Sequence, residues 1–345
     1  MRCRKVYSVA AAGRVGDAVK RIGGERIVAA VAVLVGLAIW AALPWFVGRG
    51  TIDILVFSGI YTIAGLGVSF LLGQCGIISL AQSGFYGIGA YATAYGTTVL
   101  GLPIPVCIVM GIIISALIAA AVGMPVLRLS GYFLALATLA LAIIAHVLFL
   151  ELEWLTGGTL GIGGIPRISL FGYVFNTPFR FYYLVWPCAF LVIFLCYNLL
   201  RSRTGMALRA MRDAPDSAAV AGVEIESLKV RIFVFSAALG AFAGSLFAHY
   251  VSFISVDSFS IDRAISFLLI AVLGGVRSIA GTVAGALFVT AAPNYLSRFG
   301  DIHPILFAAI LIVAVIFIPG GFGSMIASVG SASIRFLRRG VTAAR

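Results

Sequence analysis

The sequence predicts an all-α polytopic membrane protein with about 8–10 transmembrane helices, some of them possible broken or re-entrant helices. Hydrophobic residues make up 62% of the chain and charged residues only 10%, which is too apolar for a soluble domain of this length. Apolar runs long enough to cross a bilayer recur along the chain. Because the basic residues lie between these runs, we attribute the net charge of +12 to the positive-inside rule and not to nucleic acid binding.

The apolar runs follow a basic leader, residues 1–26. The first run, Ile27–Val47, is longer than the apolar core of a signal peptide, so we expect an uncleaved first helix. Further spans are predicted at Ile52–Leu72, Ser83–Leu100, Ile104–Leu127, Tyr132–Leu150, Phe181–Leu200, Ile232–Phe253 and Pro304–Ile318. Two short runs, Ala264–Val276 and Ile279–Ala292, either extend into their flanks or form a re-entrant pair with Arg277 at its tip. The predicted transmembrane domain is residues 27–322, followed by a basic tail, residues 323–345.

The distribution of charge predicts the sidedness of the chain. If the N-terminus is cytoplasmic and the spans alternate, the C-terminus is cytoplasmic too. Only five of the 24 Lys and Arg residues then lie outside, namely Arg49, Arg167, Arg180, Arg263 and Arg298. Such an excess of basic residues in the cytoplasm is the expected bias. The arrangement places the loop 201–231 inside and the loop 151–180 outside.

The loop 201–231 is the longest stretch that cannot lie in lipid, and it carries six basic and four acidic residues. Its apolar residues, including Leu208 and Met211, indicate short helices with an apolar side. These helices are separated at Pro215, because the residue before a proline leaves helical geometry. A short amphipathic helix can dock into a groove on a soluble partner. The alternative is a basic loop that only fixes the topology.

This loop also resembles a known family. Asp216-Ser217-Ala218, followed after three residues by Gly222, is similar to a degenerate form of the Glu-Ala-Ala-x-x-x-Gly loop by which ABC importer permeases contact their ATPase subunits. Asp216 stands where that motif has Glu, and Ser217 stands where it has Ala. The wider segment 203–229 resembles permeases for branched-chain amino acids. The resemblance implies an ATPase-coupling loop whose main residues are Arg203, Gly205, Arg209, Arg212, Asp216, Ala218 and Gly222.

Residues 73–84, between the second and third predicted spans, are rich in amides, hydroxyls and glycines. Polar backbone at membrane depth is tolerated where it lines a cavity or is buried in protein, and broken helices form binding sites in transporters. One interpretation is a translocation path, and the other is a short cytoplasmic loop of low charge. The adjoining stretch 84–91 again resembles branched-chain amino acid permeases. The predicted path residues are Gln74, Ser79, Gln82 and Ser83.

The largest predicted outer loop, residues 151–180, contains Thr156-Gly157-Gly158. Glycines permit backbone geometries closed to other residues, so they are typical of a tight turn or a flexible surface loop. The stretch resembles the outer loop of the same permease family. That resemblance implies a folded element at the periplasmic mouth involving Thr156, Gly157 and Gly158.

Two further patterns concern packing inside the bundle. Gly240-x-x-x-Gly244 and Gly281-x-x-x-Gly285 predict close helix contacts, because small residues let backbones approach. His146, His249 and His303 have no acidic partner predicted at mid-depth, which favours structural roles over a proton relay.

The sequence offers little catalytic chemistry. It contains no Gly-x-x-x-x-Gly-Lys-Ser/Thr phosphate loop and no Cys-x-x-Cys pair, and it has only three His residues. We therefore expect no catalytic residues, no metal site and no cofactor bound by this chain, with ATP and Mg²⁺ used by partner subunits.

The resemblance spans roughly residues 55–320 and implies the transmembrane permease subunit of an ABC importer in the bacterial cytoplasmic (inner) membrane. The implied solutes are branched-chain or other hydrophobic amino acids. The implied partners are two ABC ATPase subunits, a homologous second permease subunit, a periplasmic solute-binding protein and membrane lipid, with no nucleic acid. Similar subunits carry urea and short amides, so that alternative stays open. A channel or a membrane enzyme without an ATPase partner is the alternative from another class, although an enzyme should show an intramembrane cluster of His, Asp, Glu or Cys.

Overall fold

The computed structural model describes residues 40–170, 172–317 and 320–325. The chain divides into two compact units, Met1–Ile52 and Asp53–Arg345. In the described part of the first unit, residues 40–46 are helical and a longer helix begins at Arg49. The predicted leader, most of the predicted first span and nearly all of the predicted tail lie outside the described residues.

Helices form almost all of the second unit, which confirms the all-α class. They are α1 (Arg49–Cys75), α2 (Gln82–Thr98), α3 (Ile104–Val126), α4 (Tyr132–Glu151), α5 (Glu153–Thr156), α6 (Pro178–Arg201), α7 (Arg203–Asp213), α8 (Pro215–Val220), α9 (Ile225–Val251), α10 (Ile261–Gly274), α11 (Ile279–Leu296) and α12 (His303–Phe317). Short 3₁₀ segments cover Gly158–Leu160, Val256–Phe259 and Ser297–Ile302, the last with a kink at Gly300. Strand β1 (Ile162–Gly163) pairs with β4 (Phe253–Ile254), and β2 (Ser169–Leu170) pairs with β3 (Tyr173–Val174), both antiparallel.

Six helices of the described residues are long and apolar enough to cross a membrane: α1, α3, α4, α6, α9 and α11. This confirms a polytopic membrane protein. Helix α10 has 14 residues, a length of about 21 Å, which is less than the bilayer thickness of about 30 Å. The two short predicted runs are therefore unlike each other, since α11 is long enough to span and α10 is not.

Helix α1 lies at the centre of the bundle and is buried along nearly its whole length. It is apolar or small on every side, as expected for a helix surrounded by protein. Two of its buried hydroxyls bond to their own helix, Ser58 Oγ to the Leu55 carbonyl at 2.8 Å and Thr62 Oγ1 to the Ser58 carbonyl at 2.7 Å. In contrast, α3, α4 and α6 leave most of their surface exposed, which suits helices that face lipid.

Glycines allow the closest helix contacts in the bundle. A Cβ atom on Gly244 of α9 would lie 1.8 Å from the Tyr86 carbonyl oxygen on α2. A Cβ atom on Gly281 of α11 would lie 1.7 Å from the Gly274 carbonyl oxygen at the end of α10. Both distances are far shorter than any van der Waals contact, so only glycine fits. The two close contacts predicted from the spaced glycines are confirmed.

Candidate functional site

The loop 201–231 folds into two short helices, α7 and α8, that meet at Ala214–Pro215. The predicted break at Pro215 is therefore confirmed. Ser202 caps α7, with its Oγ accepting a hydrogen bond from the Gly205 amide at 3.3 Å, which satisfies one of the free donors of the first turn. A Cβ atom on Gly205 would lie 2.5 Å from the Leu199 and Leu200 carbonyl oxygens. Glycine at this position lets α7 turn tightly back from the end of α6.

Helix α7 docks onto the bundle through its apolar side. Leu208 and Met211 are almost fully buried, with exposed fractions of 0% and 3%. They belong to a hydrophobic cluster that also contains Leu71, Cys75 and Ile77 from the end of α1 and the turn after it. Burying a side chain of this size contributes roughly 1.5–3 kcal/mol. The loop is thus attached to the central helix and does not hang free from the bundle.

Polar contacts attach the same helix at two further points. The Arg212 guanidinium donates a hydrogen bond to the Gly73 carbonyl near the end of α1. Asp213 forms an ion pair of 3.1 Å with Arg277, in the turn between α10 and α11. This pair is exposed and contributes at most about 1 kcal/mol, but it fixes α7 beside that turn.

The end of α1 also contacts this turn directly. Ser69 Oγ donates a hydrogen bond to the Val276 carbonyl at 3.4 Å, and a Cβ atom on Gly73 would lie 1.8 Å from the same carbonyl oxygen. Three segments that are distant in sequence therefore meet at one end of the bundle. All three belong to the side that the charge pattern predicts to be cytoplasmic.

The surface of the loop that points away from the bundle is called here the loop face. It consists of the exposed residues Met206, Asp216, Ser217, Ala219 and Val220. Val220 is 90% exposed and Met206 is 57% exposed. Two strongly exposed apolar side chains on a segment that is otherwise rich in charge make this surface a candidate for contact with a partner.

The predicted coupling residues divide between this face and the interior of the loop. Asp216 is exposed, whereas Ala218 is buried at 4% exposure. Arg203 is exposed. Arg209 is also exposed, but its guanidinium bonds to backbone carbonyls at Gly205 (3.3 Å) and Leu200 (3.2 Å), so it supports the turn before α7.

Gly222 ends α8 in a left-handed conformation with φ of 86°. Its amide donates to the Ala219 carbonyl at 3.0 Å, and the amide of Val223 donates to the Ala218 carbonyl at 3.0 Å. These two bonds form a Schellman motif, which satisfies the free carbonyls at a helix end. No atom lies within 4 Å of a Cβ built on Gly222. The position therefore requires glycine for its backbone conformation and not for lack of space.

The four predicted path residues lie on or beside the irregular segment 76–81 between α1 and α2. All are buried, with exposed fractions of 7% for Gln74, 3% for Ser79, 2% for Gln82 and 1% for Ser83. The segment is held by protein, since the Leu80 amide donates to Thr138 Oγ1 on α4 at 3.2 Å. Non-helical backbone that is held by protein in this way would be stable at membrane depth.

Gln82 connects three helices. Its Nε2 donates to the Ala64 carbonyl on α1 at 3.1 Å and to the Ser236 carbonyl on α9 at 3.2 Å. Its Oε1 accepts a hydrogen bond from Ser236 Oγ at 3.0 Å. Both amide donors are therefore occupied by protein. In contrast, Ser83 Oγ is buried without a hydrogen-bond partner among the described residues. A role for these residues in solute passage stays a prediction.

The outer loop is folded around Thr156, as its resemblance implied. The buried Thr156 Oγ1 donates to the Phe149 carbonyl at 2.6 Å and accepts a hydrogen bond from the Gly158 amide at 3.1 Å. Gly157 and Gly158 both have positive φ, at 73° and 55°. A Cβ atom on Gly157 would lie 2.3 Å from the Gly161 carbonyl oxygen. The position of this element at a periplasmic mouth stays a prediction.

This folded loop is joined to the end of α9. Strand β1 pairs with β4, which follows α9 directly. The buried His249 places Nδ1 2.8 Å from the Pro166 carbonyl oxygen, as expected for a structural histidine.

A cavity of about 310 Å³ lies between the outer loop and the helices α1, α6 and α9. We call it the Asp53–Arg167 cavity. It is lined by Asp53, Phe57, Arg167, Phe175, Thr177, Pro178, Tyr250 and Val251. The Tyr250 hydroxyl donates a hydrogen bond to Asp53 Oδ1, and Arg167 donates one to the Asn176 carbonyl. The charge pattern of the sequence places Arg167 in the predicted outer loop, but no sequence pattern brings it together with Asp53, because the two residues belong to separate segments.

A second polar contact that the sequence did not reveal lies deeper in the bundle. Arg263, at the start of α10, donates a hydrogen bond to the Tyr61 hydroxyl on α1, and its guanidinium carbon lies 5.2 Å from the centre of the Tyr61 ring. Tyr61 is two turns beyond Asp53 on α1, or about 12 Å further along the helix. The sequence signal was a charged residue beside a predicted span, which often has a role in membrane proteins.

Comparison with known proteins identifies what the chain is similar to. Residues 50–319 match the family described as the permease component of the branched-chain amino acid transport system. The chain is 31% identical to the high-affinity branched-chain amino acid transport system permease protein LivM of Salmonella typhimurium, over 87% of this chain and 76% of that protein. It is 32% identical to LivM of Escherichia coli over 84% of this chain and 73% of that protein. The permease protein BraD of Pseudomonas aeruginosa is 25% identical over 77% of this chain and 92% of its own length. No solved structure matches the chain.

The contacts of Gln82 predict different results for two neighbouring substitutions. Gln82→Leu keeps the approximate size but removes three hydrogen bonds and leaves the buried Ser236 hydroxyl without its side-chain partner. We expect it to destabilise the protein by about 1–3 kcal/mol. Ser83→Ala removes a hydroxyl that has no partner and should leave stability unchanged or slightly raised. The thermal unfolding midpoint of each purified variant measures the difference. An unchanged midpoint for Gln82→Leu would contradict the structural role of this residue.

Proposed function

The chain belongs to the permease family of branched-chain amino acid transport systems, and we propose that it is the transmembrane subunit of an ABC importer for branched-chain or other hydrophobic amino acids. In this proposal a periplasmic binding protein delivers the solute, and a homologous second permease subunit completes the path across the bacterial inner membrane. Two partner subunits bind and hydrolyse ATP with Mg²⁺. This chain binds no cofactor and catalyses no reaction.

The observation that carries the proposal is the attachment of the loop 201–231 to the bundle. An ATPase subunit that binds the loop face would move α8 and α7 together, because their ends meet at Pro215. Helix α7 is in turn fixed to the end of α1 through Leu208, Met211 and Arg212. A displacement of the loop is therefore transferred to the central helix of the bundle.

The ion pair between Asp213 and Arg277 extends this connection to the turn between α10 and α11. Helix α10 is the short helix whose first turn contains Arg263, which contacts Tyr61 in the middle of α1. Movement at the cytoplasmic end can thus reach residues about half-way through the bundle. A channel that opens without an ATPase would have no need for an exposed apolar loop face connected in this way.

Solute uptake tests the function as a whole. Cells with and without this chain are supplied with labelled leucine and, in parallel, labelled urea. The proposal predicts that removing the chain abolishes uptake of leucine alone, and that restoring it restores uptake. Loss of urea uptake alone would keep the transporter and change its solute. Loss of neither would contradict the proposal.

The conformation of Gly222 predicts a matched pair of variants. Gly222→Val should disrupt the turn after α8, because a β-branched residue is strained at positive φ, with a cost of at least about 1–2 kcal/mol. Gly222→Asn is of similar size but tolerates this conformation. Leucine uptake should therefore fall strongly in the Val variant and much less in the Asn variant, with equal amounts of both in the membrane.

A fall of equal size in both Gly222 variants would show that bulk at the loop face matters and not the backbone turn. Full uptake in the Val variant would remove the loop from the coupling mechanism. Measuring ATP hydrolysis in the same preparations shows whether the ATPase subunits are still bound.

A further inference from the structure

We propose that the Asp53–Arg167 cavity binds the zwitterionic part of an α-amino acid, with Asp53 holding the ammonium group and Arg167 holding the carboxylate. The inference rests on the proposed function and adds to it a binding site for the solute. It concerns residues that lie outside the loop 201–231 and outside the predicted path segment 73–84.

The two charges line the same cavity without forming a close ion pair. Among the described residues the one ion pair within 4.0 Å joins Arg277 to Asp213, so Asp53 and Arg167 are not paired. The carboxylate of Asp53 receives a hydrogen bond from Tyr250, which leaves acceptor sites free. The guanidinium of Arg167 donates to a backbone carbonyl and has further donors. An unpaired acid and an unpaired base on one cavity match a ligand that carries both opposite charges.

The orientation of Asp53 is fixed by its surroundings. The Tyr250 ring packs edge-on against Phe57, with ring centres 5.3 Å apart, and at a tilt of 41° against Phe181, with ring centres 4.8 Å apart. The ring therefore has little freedom, and its hydroxyl holds one oxygen of the carboxylate. The other oxygen is available to an ammonium group, and a charge-assisted hydrogen bond of this kind is stronger than a neutral one.

The remaining walls suit an apolar side chain. Phe57, Phe175 and Val251 line the cavity together with Pro178. A volume of about 310 Å³ is at the small end of the range for ligand pockets, roughly 300–1,000 Å³, so the site suits a single small solute. Urea carries no charge and would leave both Asp53 and Arg167 without partners. The cavity therefore favours a hydrophobic amino acid over urea, a choice that the sequence left open.

The position of the cavity agrees with arrival of solute from outside. Arg167 belongs to the loop 151–180, which the charge pattern places outside, and Asp53 lies near the first turn of α1. Phe57 and Tyr61 follow on successive turns of α1, with ring centres 6.1 Å apart. Phe57, which lines the cavity, therefore contacts the Tyr61 ring that Arg263 also contacts.

Protection of an introduced cysteine tests the site directly. Val251 lines the cavity and is 40% exposed, so Val251→Cys in the complete transporter, reconstituted in lipid nanodiscs, should react with a water-soluble maleimide. The wild-type transporter gives the background from the native cysteines. Leucine should slow the reaction. Leucinamide, which lacks the carboxylate, and 4-methylpentanoate, which lacks the ammonium group, should each need about tenfold higher concentrations or more, and urea should give no protection.

Substitutions of Asp53 and Arg167 test whether each charge contributes to leucine binding. On the Val251→Cys background, Asp53→Asn keeps an acceptor for Tyr250 and should weaken protection by leucine about tenfold or more, as should Arg167→Gln. Two control substitutions, Glu151→Gln and Arg298→Gln, each remove a charge outside the cavity. In these variants leucine should protect the introduced cysteine as well as it does in the parent. Equal protection in all four variants, or leucinamide as effective as leucine, would overturn the proposed site.

Uptake by the unmodified transporter separates this inference from the proposed function. Normal leucine uptake together with unchanged protection in the Asp53 and Arg167 variants would overturn the site and leave the function standing. Uptake of urea and not of leucine would overturn both. The comparison of leucine with leucinamide, 4-methylpentanoate and urea leaves Asp53 and Arg167 unchanged. It therefore tests the inference even if a substitution of either residue prevents assembly of the transporter.

Discussion

Coupling of an ATPase to the transmembrane bundle depends on how α7 is held against that bundle. Leu208 and Met211 bury the apolar side of this helix, and Arg212 bonds to the Gly73 carbonyl at the end of α1. Burial supplies most of the stability, because an exposed ion pair such as Asp213–Arg277 contributes little. The ion pair instead determines which other segment the loop contacts. Without these attachments the loop would be a flexible tether, and a force applied to it would not reach the transmembrane helices.

The interior of the bundle obeys the constraint that lipid offers no hydrogen bonds. The break between α1 and α2 leaves backbone groups without helical partners, and side chains on other helices replace them, such as Thr138 for the Leu80 amide. Gln82 then fixes α1, α2 and α9 at a common point. A buried amide with both donors occupied is costly to disrupt. The broken segment can therefore be rigid, while the exposed surfaces of α3 and α4 suit contact with lipid.

Sequence patterns predicted those features that depend on neighbouring residues. Apolar runs located the helices, but two predicted spans correspond to α2 and α12, which have 17 and 15 residues and are not among the six helices that can cross a membrane. Pro215 located the break in the loop, and spaced glycines such as Gly244 located the close helix contacts. Contacts between residues that are far apart in the sequence could not be predicted from it. The sequence predicts Gln82 as a polar residue of a transport path. Its contact with Ser236 becomes visible only when α2 and α9 are packed together. The Asp53–Arg167 cavity was missed for the same reason, since no local pattern connects the start of α1 to the outer loop.

The most direct test of the account is cross-linking from the two ends of the molecule. Val220, on the loop face, and Leu160, in the outer loop, are similarly exposed, at 90% and 85%, so cysteines at these positions should react equally well. With a short bifunctional reagent in the assembled transporter, Val220→Cys should cross-link to an ATPase subunit and Leu160→Cys should not. A Leu160→Cys cross-link to the ATPase, with none from Val220→Cys, would show that the loop 201–231 is not the coupling surface.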